Sequence, residues 1–255
     1  MKIAVITGAS SGIGREFSFQ IEKLYRNLDE IWIVARRTLK LQELGQEISL
    51  PVHIFDGDMQ REYIYERIKK ELDKKQADIR ILVNAAGYGK TGRFCEIDEQ
   101  EELGMIDLNC KALTKMTYLC LPYMSEGSRI IQIASAAAFA PQPGFAVYAA
   151  SKSYVYHFSL ALKEELRGKN ISVTTVCPGP VDTEFFRRSG ELPNLLKASA
   201  KANVKRVVKQ ALTDAVHRKS VSVYGMTMKS TRFLAKIVPE TVAAFVMKKI
   251  NKIEK

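Results

Sequence analysis

Cysteine and histidine are scarce in this chain. Only Cys95, Cys110, Cys120 and Cys177 occur, with His53, His157 and His217. No two cysteines form a CxxC pair, and no histidine sits at metal-ligand spacing from them. That excludes the common zinc sites and a disulfide framework, and no metal is expected. Scattered cysteines of this kind are expected to be reduced, partly buried thiols of a cytoplasmic protein. Long apolar runs are missing too. The best, "IIQIASAAAFAPQPGFAVYAA", is broken by Gln132, Pro141, Gln142 and Pro143, whereas a membrane span needs roughly 18 uninterrupted residues. The opening "MKIAVITGASSGIG" starts like a leader but runs into a glycine-rich turn with no small-residue cleavage pattern, so it reads as a strand. Repeats, low-complexity tracts and linkers are absent, and 255 residues suit a single large domain.

One shortage is local. Residues 1–200 hold 26 Lys/Arg against 25 Asp/Glu, but residues 201–255 hold 13 against only Asp214, Glu240 and Glu254. Nearly all of the net charge of +11 therefore lies in the last fifth of the chain. Such a localised excess bears on partners, not on fold.

What is present is an alternation. "KIAVIT" (2–7), "EIWIVA" (30–35), "PVHIFD" (51–56), "IRILVN" (79–84), "SRIIQIAS" (128–135), "ISVTTVCP" (171–178) and "SVSVYG" (220–225) read as strands. Helical patterns lie between them, including one region from about Glu99 to Met124, one over 148–168 and one over about 199–217. In the segment 60–75, Tyr63, Ile64, Ile68 and Leu72 fall on one helical face. Several strands are continuous apolar runs, as expected when both faces are covered. The fold class is therefore α/β: a doubly wound, Rossmann-like parallel sheet of seven strands with helices on both faces.

The first strand ends in "TGASSGIG", with Gly8, Gly12 and Gly14. A strand-to-helix turn that must approach a pyrophosphate closely has no room for Cβ atoms, and the helix that follows offers its N–H groups and dipole to the anion. The glycine triplet is a weak signal alone; its place between a strand and a helix strengthens it. A dinucleotide site specific for NAD usually has an acid about 20 residues on, at the end of the second strand. That acid is missing. The strand ends "VARRT", with Ala35 followed by Arg36 and Arg37. An arginine fork at this edge suits a 2′-phosphate, so NADP(H) is favoured, with NAD(H) as the other option. The P-loop-like "GYGKTG" (87–92) lacks the earlier glycine that pattern needs, since Asn84 stands there.

These segments together resemble the short-chain dehydrogenase/reductases, in their compact single-domain branch. "TGASSGIG" is similar to that family's nucleotide-binding signature, and "VNAAG" (83–87) to its fourth-strand motif. "DLNCKA" (107–112) and "CPGPVDT" (177–183) match two more of its segments. Ser135 lies 13 residues before Tyr148, and Tyr148 opens "YAASK", four residues before Lys152. The motifs run in family order over residues 7–183; Ala85 and Ala134 replace a common asparagine and serine. The resemblance implies an NAD(P)(H)-dependent oxidoreductase interconverting a small-molecule carbonyl and an alcohol. It makes Tyr148 the general acid/base and gives Ser135 the substrate oxygen. Lys152 would hold the nicotinamide ribose and tune the tyrosine, and Asn109 would order a water leading out from Lys152. Cofactor contacts would come from Gly8, Ser10, Ser11, Gly12, Ile13 and Gly14, then from Arg36, Arg37, Asp58 and Met59 toward the adenosine. Asn84, Ala85 and Gly87 would follow, with Tyr148 and Lys152, then Pro178, Gly179, Val181 and Thr183 beside the nicotinamide. "DGD" leaves open whether Asp56 or Asp58 flanks the adenine. A homodimer or homotetramer is the family's usual state.

The residues agree with that chemistry. Charge builds on a carbonyl oxygen as it is reduced, so the site needs a hydrogen-bond donor and a proton donor there, which Ser135 and Tyr148 can be. Spacing of four puts Tyr148 and Lys152 on one helix face, and a lysine cation beside a tyrosine favours its ionised form. The other reading is a scaffold or redox sensor that binds NADP(H) without turnover. Residues 184–200, with Phe185, Phe186, Leu192, Leu195 and Leu196, read either as an apolar substrate lid, which would point to a hydrophobic substrate, or as a helix simply packed on the core. Residues 225–255 read as a basic C-terminal extension. After Pro239, Val242, Phe245, Val246, Ile250 and Ile253 share one helical face, with Lys248, Lys249, Lys252 and Lys255 off it. Such a helix either docks on its own domain or makes peripheral contact with an anionic membrane surface. No motif supports nucleic-acid binding.

Overall fold

The computed structural model describes residues 1–185, 189 and 201–251. Most of the expected lid, residues 186–188 and 190–200, lies outside the described residues, as do Lys252, Ile253 and Lys255. Seven parallel strands form one sheet in the order β3-β2-β1-β4-β5-β6-β7. They are β1 (Lys2–Thr7), β2 (Glu30–Ala35), β3 (Val52–Asp56), β4 (Asp78–Asn84), β5 (Arg129–Ile133), β6 (Ser172–Val176) and β7 (Val221–Ser222). The chain winds outward from β1 through β2 to β3, then crosses back to β4 beside β1. The order reverses between β1 and β4, so a crevice opens there beyond the strands' C-terminal ends.

Alternate residues of each strand feed two cores. Ile3, Val5, Leu82 and Ile130 face one layer, made by α3 (Glu62–Lys75), α5 (Leu113–Cys120) and α6 (Ala146–Glu165). Ala4, Ile6, Ile81 and Ile131 face the other, where α1 (Gly12–Leu24) contributes Phe17 and Ile21, α2 (Thr38–Glu47) contributes Leu41 and Leu44, and Val204–Val216 contributes Val208 and Leu212. Period-2 strands between period-3.6 helices explain why the strands read as unbroken apolar runs. On α3 the buried face is Ile64, Tyr65, Ile68 and Leu72; Tyr63 is exposed, so Tyr65 and not Tyr63 belongs to it.

Two elements differ from the sequence reading. The single helix expected over 99–124 is α4 (Glu99–Ile106), a π-helical turn (Asp107–Ala112), α5 and a 3-10 turn. The strand expected over 220–225 shortens to the two residues of β7, because only Val221 and Ser222 reach the edge of β6. After Val204–Val216 (α7) and β7, the chain ends in α8 (Met226–Leu234) and α9 (Glu240–Ile250). Among the described residues no helix is long and apolar enough to cross a membrane.

Candidate active site

A cavity of about 1250 Å³ opens along the C-terminal edge of the sheet. Its floor at one end is the glycine turn. Gly8 has φ +69°, and a Cβ there would lie 2.7 Å from the Ala86 nitrogen. Thr7 fastens the same place, its Oγ1 accepting from the Ala85 and Ala86 nitrogens at 3.1 and 3.2 Å. Helix α1 begins here with no side-chain cap and no acid in its first turn. Its first N–H groups and positive dipole end are therefore left for an anion.

Ser10, Ser11, Gly12, Ile13, Gly14, Arg36, Arg37, Asp58 and Met59 all line this end. Arg37 donates to Ser10 Oγ at 3.1 and 3.2 Å and pairs with Glu184 Oε2 at 2.8 Å. Arg36 stands 3.9 Å from Asp58 Oδ2. Asp56 is tied to Thr38 Oγ1 at 3.0 Å and to Arg67, off the cavity; Asp58 lines it.

Tyr148, Ser135 and Lys152 meet at the middle of the cavity. Ser135 ends the segment after β5, and its Oγ accepts from the Ala137 nitrogen at 3.1 Å, which turns the chain and holds the serine in place. Phe145 stacks on Tyr148 with ring centroids 4.1 Å apart, and Phe185 lies at 5.5 Å. Lys152 is 5 % exposed and donates to the Ile133 carbonyl at 2.8 Å. Asn109 sits beneath, in the π turn. Its Nδ2 donates to Tyr88 O at 2.9 Å and Ser151 Oγ at 3.0 Å, and its Oδ1 accepts from the Tyr88 nitrogen at 3.0 Å. Ser151 in turn donates to Tyr148 O at 2.7 Å. A Cβ on Gly87 would come within 2.7 Å of Asn109 Oδ1 and 3.3 Å of Lys152 Nζ, so only glycine lets these groups gather.

Burial dominates the electrostatics. It pushes Tyr148 up to about 12, offset in part by a hydrogen bond from Ser135. It pushes Lys152 down to about 8. Lowering of the tyrosine by the lysine cation is not what this geometry gives. Lys152 turns its Nζ to the Ile133 carbonyl, and the downward pull on Tyr148 comes from Ser135.

Of the residues expected at the cofactor, Ala85, Gly87, Pro178, Gly179, Val181 and Thr183 also line the cavity. Asn84 does not. It shares a sheet face with Leu82, so its side chain enters the helix layer, and Nδ2 donates to Thr117 Oγ1 at 3.0 Å. Gln132, its neighbour on β5, donates to the same oxygen at 3.0 Å. The sequence reading missed the far end of the cavity, which α8 and α9 close with Thr227, Met228, Thr231, Met247 and Ile250. The apolar face read as Val242, Phe245, Val246 and Ile250 is split: Ile250 lines the cavity, and the other three are exposed.

A doubly wound sheet with an open glycine turn over its switch point defines the class of nucleotide-binding α/β folds. Within it, this chain belongs to the short-chain dehydrogenases, the family whose model, described as short chain dehydrogenase, matches residues 2–193. It is therefore an oxidoreductase of that family. An uncharacterized oxidoreductase of Staphylococcus epidermidis is 30% identical over 218 residues, 85% of this chain and 93% of that one. The 17-beta-hydroxysteroid dehydrogenase type 3 of Mus musculus is 34% identical over 193 residues, 72% of this chain and 61% of that protein. A solved short-chain dehydrogenase from Sphingobium yanoikuyae, in complex with NADPH, superposes with a TM-score of 0.76 at 26% identity, over 96% of this chain and 99% of that one.

Proposed function

We propose that this chain is an NADP(H)-dependent reductase of hydrophobic ketones or aldehydes, or a dehydrogenase of the matching alcohols. The observation that carries the reading is the position of Tyr148 and Ser135 midway along one cavity, with Arg36, Arg37 and the glycine turn at one end and apolar side chains at the other. The residues fit the dinucleotide. The uncapped start of α1 and the turn at Gly8 accept a pyrophosphate, and the two arginines accept a 2′-phosphate. When bound, the nicotinamide supplies hydride to a carbonyl carbon.

The chain's own residues do the rest. Ser135 donates a hydrogen bond to the carbonyl oxygen and holds it at the Tyr148 hydroxyl. Tyr148, kept protonated by burial, delivers its proton to that oxygen as charge develops there. Lys152 remains largely cationic at neutral pH and, held by the Ile133 carbonyl, is placed to bind the nicotinamide ribose. Asn109 is a positioning residue: through Ser151 and Tyr88 it fixes α6 against the segment after β4. Phe139, Phe145, Phe185, Met228, Met247 and Ile250 surround the space beyond Tyr148, and a substrate there must be largely apolar. The relative that acts on steroids supports such a substrate. The outer face of α4 and α5, where Leu103, Ile106 and Tyr118 are exposed, is the proposed contact for a second copy in a homodimer or homotetramer.

NADPH oxidation, followed against a panel of steroid, acyl, sugar and quinone carbonyls, tests the reading. Turnover of the bulky apolar members is expected. Cofactor binding without turnover of any member would reduce the chain to a nucleotide-binding scaffold.

A further inference from the structure

Helices α8 and α9 contain no buried residue, yet they are rich in large apolar side chains. Phe233, Leu234 and Ile237 are 65, 56 and 64 % exposed, and Val242, Phe245 and Val246 are 49, 58 and 45 % exposed. These six lie within one stretch of 14 residues, 233–246. On α8 and the turn after it, Lys229, Phe233, Leu234 and Ile237 follow helical spacing along one outward stripe. On α9 the outward stripe is Val242, Phe245, Val246 and Lys249, and the Lys249 ammonium lies 4.7 Å from the Phe245 ring centre. The inner side of α9 is engaged. Met247 and Ile250 line the cavity, and Asn251 donates to the Pro143 carbonyl at 2.8 Å. Over residues 225–251 the charges are Lys229, Arg232, Lys236, Lys248 and Lys249 against Glu240 alone.

We propose that the outer face of α8 and α9 docks on an anionic lipid bilayer. A patch of this kind in water wants a partner that covers apolar side chains and also neutralises lysines. A second copy placed symmetrically on this face would press the same lysines against one another. A polyanion such as nucleic acid would meet the lysines and leave the phenylalanine and aliphatic side chains uncovered. An anionic bilayer does both: the apolar stripe enters the boundary of headgroups and acyl chains, and the lysines meet the lipid charge. The inner side of α9 closes the apolar end of the cavity, so docking puts that end beside the lipid. A substrate drawn from the bilayer follows from this, and that consequence rests on the function proposed above; the docking does not.

Flotation of the full chain with vesicles tests it. The protein should float with vesicles of phosphatidylcholine containing one-third phosphatidylglycerol, and far less with phosphatidylcholine alone. Phe233→Asp with Phe245→Asp should lower partitioning by roughly 100-fold. Lys248→Glu with Lys249→Glu should lower it by roughly tenfold and remove its salt dependence. All four positions are exposed, so unchanged circular dichroism is expected of both variants. Three results would overturn the proposal. One is no flotation at low salt. Another is flotation that the Asp variant leaves intact, with equal capture by heparin, which marks a simple polyanion site. The third is a change of oligomer mass in the Asp variant without vesicle binding, which marks a self-contact. NADPH oxidation with a water-soluble ketone is read separately, so failure of docking and failure of the reductase reading remain distinct.

Discussion

Helices α6 and α9 line the same cavity in opposite ways. Among the twenty residues of α6, Tyr148, Ala149, Ser151, Lys152, Val155, Ser159 and Leu162 are buried, whereas α9 buries none of its eleven. The first is held on every side, by the sheet, by Asn109 and by its own serine. The second touches the cavity with Met247 and Ile250 and hangs on Asn251. The proposed proton donor therefore sits on the tightly held helix, and the proposed substrate end on the loosely held one. On that proposal, variants on α6 should act on rate, and variants on α9 on substrate affinity with little effect on stability.

The contrast would break first at Tyr148. Tyr148→Phe should lower carbonyl-dependent NADPH oxidation roughly 1000-fold, while a fluorescence titration finds cofactor affinity within about twofold of the parent. Retained turnover would remove the tyrosine from the reaction. Lys152→Met should cut activity too, yet stabilise the fold. A lysine held near 8 instead of 10.5 costs about 3 kcal/mol at neutral pH. The sign follows from proton counts: the cost is fully present below pH 8, fades as pH rises, and is gone above 10.5. Thermal melts should therefore show the variant ahead at pH 7 and level with the parent near pH 10.5. Equal melting temperatures at pH 7 would show that Lys152 carries no burial penalty.

Smaller effects sharpen the same picture. Thr117→Val leaves the Asn84 and Gln132 amides without their shared acceptor and should cost about 2 kcal/mol in urea unfolding. Arg36→Asp should lower the ratio of NADPH to NADH efficiency about tenfold or more; an unchanged ratio argues against the arginine edge as a phosphate site. Met247→Ala on α9 should change stability by less than about 0.5 kcal/mol. Its KM for a bulky ketone should still move several-fold, with little change for a small one.

Most of the architecture was legible because buried parallel strands carry continuous apolar runs, and their limits in the structure lie within two residues of the reading for β1 to β6. Residues that line the glycine-turn end of the cavity were legible because glycine and arginine there answer to backbone space and charge, both local. Three things were not. The π turn around Asn109 changes hydrogen-bond spacing without changing side-chain periodicity enough to see. Helix α8 starts after Gly225 with no capping side chain, so nothing marks its beginning. Asn84 belongs to a motif that suggests the cofactor, but strand parity with Leu82 sends it to Thr117 instead.

The π turn of residues 107–112 is an extra residue that the helix has absorbed as a phase slip. Deleting one residue there would let α4 run straight into α5, about 1.5 Å shorter and with its phase kept. Leu113, Met116, Thr117 and Cys120 would still face the sheet. A deletion within α4 or α5 has no slack to absorb it and would turn those four side chains by about 100°. The irregular turn is thus the one place where the helix can lose a residue and keep its packing, and what it would lose is the offset that brings Asn109 to Tyr88 and Ser151. A deletion scan across 99–120 should find folding most tolerant at 107–112.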